Sequence, residues 1–240
     1  MPIKAVYLLG AIVATVLAVL LIFVVFSGDV PKQTADTPTQ IATVTPTTAK
    51  SSAKPTPAQV VLPPVPEDMA FAKLPGKAST TSGSITDKAT GLTYPKLGKP
   101  WSARQYPPFS VAQRVGKPGV PQTVIASAML PGDEALKKPS KDADYREIAV
   151  RAVRWSMRTQ YPAGATLTWT GSQKIALTKG WLLGYKVTYT LNGKQHTAQA
   201  LAAVAEVGKN KPAMLIASIP DSGKAYWADL NTLAKGLRPL

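Results

Sequence analysis

Residues 5–26, AVYLLGAIVATVLAVLLIFVVF, carry no charged side chain. As a helix rising about 1.5 Å per residue the run would reach roughly 33 Å, enough for the hydrocarbon core of a bilayer. No polar face interrupts it, which argues against a helix buried in a soluble core. A cleaved signal peptide is the rival reading, with Val25-Phe26-Ser27 as the cut site. Signal h-regions span only about 7–15 residues, however, so the length favours a retained anchor. Lys4 and the terminal amine precede the run, while Asp29 and Lys32 beyond it cancel. The positive-inside bias then predicts a cytoplasmic N-terminus and a single-pass protein of the cell membrane, with its remainder outside.

Beyond the run the composition changes. PKQTADTPTQIATVTPTTAKSSAKPTPAQVVLPPVP has neither helical nor strand period and is rich in Pro, Thr and Ala. Such a stretch buries too little apolar surface to offset its ordering entropy, and proline biases it toward extended conformers. Its threonines suit a glycosylated stalk as well as a bare spacer. The reading is therefore a transmembrane anchor at 1–26, a disordered linker at 27–90 and a globular extracytoplasmic domain at 91–240.

Within that domain, GLTYPKLGKPW, FSVAQRV and QTVIASAML read as strands separated by Gly/Pro turns. A helix is predicted over roughly 143–161, capped by Asp142 or Asp144 and stopped by Pro162-Ala163-Gly164. Tyr145, Ile148, Ala149, Ala152, Val153 and Trp155 form its apolar side; Glu147, Arg151, Arg154 and Arg158 lie opposite. ATLTWTG and QKIALTK follow, as one bent strand or two. WLLGYKVTYTL then alternates, with Trp181, Leu183, Tyr185, Val187 and Tyr189 on one face and Leu182 on the other. Asn192-Gly193 predicts a two-residue type I′ hairpin, which sets Leu191 opposite Lys194 and Tyr189 opposite His196. PAMLIASIP is one more strand. A closing helix over roughly 222–237 is expected to bury Tyr226, Trp227, Leu230, Leu233, Ala234 and Leu237 and to turn Asp229, Asn231 and Lys235 outward. The fold class is α+β: an antiparallel sheet with two packed amphipathic helices. One helix should cover the face bearing Tyr185 and Val187, the other the face bearing Leu182, Leu201 and Ala203.

The chain has no cysteine and one histidine, His196. Thiol chemistry and zinc–thiolate sites are thereby excluded. No acid or serine stands near His196 in a recognisable motif, and Glu206, the nearest acid along the chain, is far up the strand. His196 therefore reads as a cross-strand neighbour of Tyr189. Glycine-rich phosphate loops, a G-x-S-x-G elbow and paired-carboxylate motifs do not occur. The reading is of a non-enzyme without a cofactor.

Lys+Arg 28 against Asp+Glu 13 give a net charge of +15. The arginine stripe Arg151, Arg154 and Arg158, with Lys137, Lys138 and Lys141 just upstream, is the candidate contact for a polyanion or a partner. A guanidinium fork suits phosphate oxygens. Nucleic-acid binding would want aromatic platforms among the basic residues, and here the aromatics face the core. The expected partners are the bilayer itself, a protein complex, and anionic envelope polymers or lipid headgroups; nucleic acid is not expected.

LTYPKLGKPW at the domain start, together with the order strands, helix, antiparallel meander and closing helix, resembles the PsbP-like α/β/α sandwich. That superfamily includes photosystem extrinsic subunits, a family of nuclear-import release factors and actinobacterial envelope proteins. The layout is also similar to actinobacterial single-pass membrane proteins of unknown role. The likeness covers 91–240 and interrupts the family's corner at Gly98-Lys99-Pro100-Trp101. It implies a binding or scaffolding domain with no shared active site, and it transfers no functional residue. Two alternatives stand beside it: an NTF2-like subunit of a secretion or conjugation assembly, which would want more helix before the sheet, and an envelope hydrolase without a recognisable motif.

Overall fold

The computed structural model describes residues 60–117, 119–132 and 138–240. The uncharged run at 5–26 and most of the expected stalk lie outside these residues. Among the described residues no helix is long and apolar enough to cross a membrane.

The strands are β1 (Thr81–Asp87), β2 (Leu92–Leu97), β3 (Ser102–Ala103), β4 (Val111–Val115), β5 (Thr123–Met129), β6 (Thr166–Lys174), β7 (Gly180–Leu191), β8 (Lys194–Ala205), β9 (Ala213–Pro220) and β10 (Arg238–Pro239). Helix α1 (Asp142–Gln160) separates β5 from β6, and a 3-10 turn (Asp221–Tyr226) leads into α2 (Ala228–Gly236). A seven-stranded antiparallel sheet runs in the order β3-β4-β5-β9-β8-β7-β6, beside a three-stranded sheet β1-β2-β10. The architecture is mixed α and β, with antiparallel pairing throughout.

The Asn192-Gly193 turn fixes the central register. Both residues have positive φ, 51° and 73°, as a type I′ turn requires. Leu191 pairs with Lys194, Tyr189 with His196 and Val187 with Ala198, as the hairpin rule predicts. β6 is a single strand, bent by a bulge between Trp169 and Gly171.

Two cores sit on the two faces of the large sheet. On one, Tyr145, Ile148, Ala149 and Val153 of α1 meet Leu183, Tyr185 and Val187 of β7. On the other, Leu182, Leu201 and Ala203 meet Leu230 and Leu233 of α2, as expected, and also Leu92, Tyr94 and Trp101. The three-stranded sheet thus shares the cover of that second face, a layer the hydrophobic pattern did not separate out. Each large apolar side chain taken from water contributes about 1.5–3 kcal/mol.

Two expectations are corrected and a third is narrowed. First, the fold begins before residue 91. β1 lies inside the stretch read as stalk, and upstream of it residues 69–72 pair with the β6 edge through Met69 N to Ser172 O at 2.8 Å and Ala72 N to Thr170 O at 2.9 Å. The reason is a notch. Gly171 and Gly184 are cross-strand partners, and a Cβ on either would stand 2.5 Å or 2.7 Å from the Phe71 ring. Two glycines let one aromatic ring lie on bare backbone, and that contact orders a segment without any period of its own.

Second, Asp229 does not face away. It is fully buried and accepts hydrogen bonds from Ser79 N at 2.6 Å, Ser79 Oγ at 2.8 Å and Trp101 Nε1 at 2.7 Å. Asn231, also expected outside, bonds the same upstream segment: Leu74 N donates to its Oδ1 and its Nδ2 donates to Ala72 O, both at 2.9 Å. Third, of the two candidate caps for α1, it is Asp144 and not Asp142 that serves. Lys141 is the N-cap, and the Asp144 carboxylate reaches back to accept from Ser140 N at 2.8 Å and Lys141 N at 2.9 Å. Those two backbone donors hold Asp144 below the usual carboxylate range.

Candidate basic flank and its surroundings

The start of α1 brings part of the predicted basic group together. Lys138, Lys141 and Arg151 line one cleft of about 350 Å³, with Asp144, Glu147 and Ile148 on its walls. All three cationic residues are exposed. Arg154 is half-buried and its Nε has no hydrogen-bond partner, while Arg158 stands exposed in the last turn. At 1.5 Å per residue, Arg158 is roughly 10 Å further along the axis than Arg151, so the stripe is not one compact cluster. Lys137 lies outside the described residues. Arg146, absent from the predicted group, also has a defined place. It meets Glu67 at 3.3 Å and lies over the Trp181 ring at 5.7 Å from its centroid, joining the upstream segment to α1.

The carboxylates explain why this surface is cationic. Asp87 and Asp229 are buried. Asp142 pairs with Lys174, Glu67 with Arg146, and Asp221 with His196. Glu206 accepts from the Tyr145 hydroxyl at 2.8 Å. Among the described residues most acids are thus taken up inside the fold or in pairs, with Asp68 and Glu147 left exposed, and the exposed charge is mostly lysine and arginine.

His196 has a partner that sequence reasoning missed. Its Nδ1 is 3.0 Å from Asp221 Oδ2, and the same carboxylate oxygen accepts from Thr197 N at 3.3 Å. β8 pairs with β9 so that Ala198 opposes Pro220, which sets Asp221 beside Thr197. The expected stacking on Tyr189 is present, with ring centroids 5.7 Å apart. Among the described residues no serine or threonine hydroxyl hydrogen-bonds to the imidazole. The pair ties the 3-10 turn to the end of the hairpin.

A second polar centre surrounds Asp87 on the opposite face. Ser110 Oγ donates to its Oδ2, Ser127 Oγ donates to the same oxygen at 2.6 Å, and Ala89 N donates to Oδ1 at 3.0 Å. The Ser127 proton is committed to Asp87, so the Tyr94 hydroxyl is the donor in its 3.1 Å bond to Ser127 Oγ. Burial pushes the Asp87 carboxyl up, but the hydrogen bonds from Ser110, Ser127 and Thr90 together outweigh it, and its pKa lies below the ordinary value. Burial, with the Asp87 charge adding to it, pushes Tyr94 up to about 12. An ionised, saturated carboxylate is a weak base, so this centre acts as a knot joining β1, β2, β5 and the residue that leads into β4. Among the described residues no cluster of three or more His, Asp or Glu could hold a metal ion. In comparisons with known proteins, no family model and no curated protein matches the chain.

Proposed function

We propose that the chain is a membrane-tethered, extracytoplasmic binding module of a bacterial cell envelope, working by contact and not by catalysis. The uncharged run at 5–26, with Lys4 before it, supports the tether and its direction. The observation that carries the binding role is the unequal fate of the charges. Among the described residues most acids are buried or paired, while Lys138, Lys141 and Arg151 converge on one exposed cleft in which they outnumber Asp144 and Glu147. Such a flank suits phosphate-bearing envelope polymers or anionic headgroups, with each basic residue near an anionic surface contributing about 1 kcal/mol.

Vesicle sedimentation with the compact unit Pro55–Leu240 tests this reading. Phosphatidylglycerol-containing vesicles should retain the protein at low salt and release it as salt rises. Reversing Lys138, Lys141 and Arg151 to glutamate should weaken retention by on the order of 100-fold. Equal retention on purely zwitterionic vesicles, or no effect of the triple reversal, would refute it.

A further inference from the structure

A groove of about 1010 Å³ opens between the upstream segment, the β6–β7 turn and α2. That volume is at the upper end for small-molecule sites, about 300–1,000 Å³. Phe71, Leu74, Ile175, Leu182 and Leu237 line it. Leu177, at its rim on the β6–β7 turn, is 74% exposed, the most exposed leucine among the described residues. The charged lining is entirely cationic: Lys73, Lys174 and Lys235, with no carboxylate. Lys174 is paired with Asp142 across the sheet edge, whereas Lys73 and Lys235 are exposed and form no ion pair among the described residues.

We infer that this groove holds a single acyl chain whose polar end is anionic, a long-chain carboxylate, with the hydrocarbon along Leu74, Ile175 and Leu177 and the carboxylate at Lys73 and Lys235. Apolar walls alone would admit any oily segment; the charge selects among them. Residues 1–59 carry Lys4, Lys32, Lys50 and Lys54 against Asp29 and Asp36, so they offer the lysine rim no net negative partner. A second copy, at +15, is repelled. An amphiphile with a negative end satisfies both the walls and the rim. The inference goes beyond the basic flank: it concerns another site and an enclosed chain, not a surface.

The test uses the full chain reconstituted in phosphatidylcholine bilayers and palmitic acid bearing a mid-chain diazirine. The methyl ester of that acid and a phosphatidylglycerol carrying the same chain are parallel probes. Labelling is done in about 0.5 M salt, where surface attraction is screened, and mapped by peptide mass spectrometry. Label from the acid should fall on the peptides containing Leu74, Leu177 and Thr232. Thr232→Trp, which fills the groove, should lower it about tenfold. Lys73→Glu with Lys235→Glu, both at exposed positions, should abolish the preference for acid over ester. The inference is overturned by label spread evenly over the chain, by equal labelling from acid and ester in the unmodified protein, by phosphatidylglycerol labelling the groove in preference to the free acid, or by groove-linked dimers. The basic flank is tested separately at low salt, so either reading can fail while the other stands.

Discussion

The buried Asp229 carboxylate gives the most direct test of how the upstream segment joins the fold. Asp229→Ala leaves the Trp101 indole N–H buried without an acceptor, which costs about 1–3 kcal/mol, and deletes two bonds to half-buried Ser79, worth roughly 1–1.5 kcal/mol each after rehydration. The expected loss is about 3–6 kcal/mol. Ser79→Ala removes only the hydroxyl bond and should cost about 1 kcal/mol. Asp229→Asn keeps one acceptor oxygen but turns an NH₂ toward a donor, and should fall between the two. Urea unfolding of Pro55–Leu240, followed by Trp fluorescence, measures all three. The double variant should cost less than the sum of the singles by about 1 kcal/mol, since Ser79 Oγ and Asp229 share one bond. Amide exchange near Ser79 should accelerate in Asp229→Ala while β7 and β8 stay protected. A loss under about 1 kcal/mol, or strict additivity, would refute the assignment of Asp229 as the carboxylate that anchors this segment.

Further outcomes follow from the same geometry. Gly184→Ala should destabilise by about 1–3 kcal/mol because its Cβ would meet the Phe71 ring at 2.7 Å; in a Phe71→Ala background the penalty should largely vanish, as a double-mutant cycle would show. The Asp87 pKa is lowered in the fold, so its contribution is fully present above the ordinary carboxylate pKa and is lost as pH falls through the folded value. Asp87→Asn should therefore be less stable than the parent at neutral pH and show a shallower decline in acid, measured as melting temperature against pH. Starting the chain at residue 91 removes Phe71, Ser79 and β1 together and should leave a unit that fails to unfold cooperatively, whereas starting it at Pro55 should leave the transition intact.

Much of the central meander was legible because its signals are local. Asn192-Gly193 sets the register residue by residue, and the alternation from Trp181 to Tyr189 says which face meets α1. The apolar stripe of α1 likewise needs only its own spacing. What escaped the sequence reading depends on partners far along the chain. Phe71 is ordered by glycines about a hundred residues on, and Asp229 and Asn231 look like outward polar positions until the segment that supplies their donors and acceptors is known. His196 and Asp221 are joined only once β8 lies against β9. The basic residues were expected as one group, and the structure keeps part of it together: Lys138, Lys141 and Arg151 converge because the chain turns into α1 at Lys141, while Arg154 is half-buried and Arg158 lies further along the helix.

The segment from Val60 to β1 is held by successive contacts along its length: Pro63 O with Trp169 Nε1, Pro66 O with Ser172 Oγ, the backbone pairing of 69–72 with β6, Phe71 in its notch, then Asn231 and Asp229. A pull applied at Val60 meets these one at a time, as a zipper opens, and not as a ladder sheared all at once. Peeling them would pay out roughly 60–70 Å of chain, at about 3.3 Å per residue, before any force reached β1 and β2. Because Val60, Leu62 and Val65 pack against one core and Phe71 and Leu74 against the other, the same peeling would uncover an edge of each.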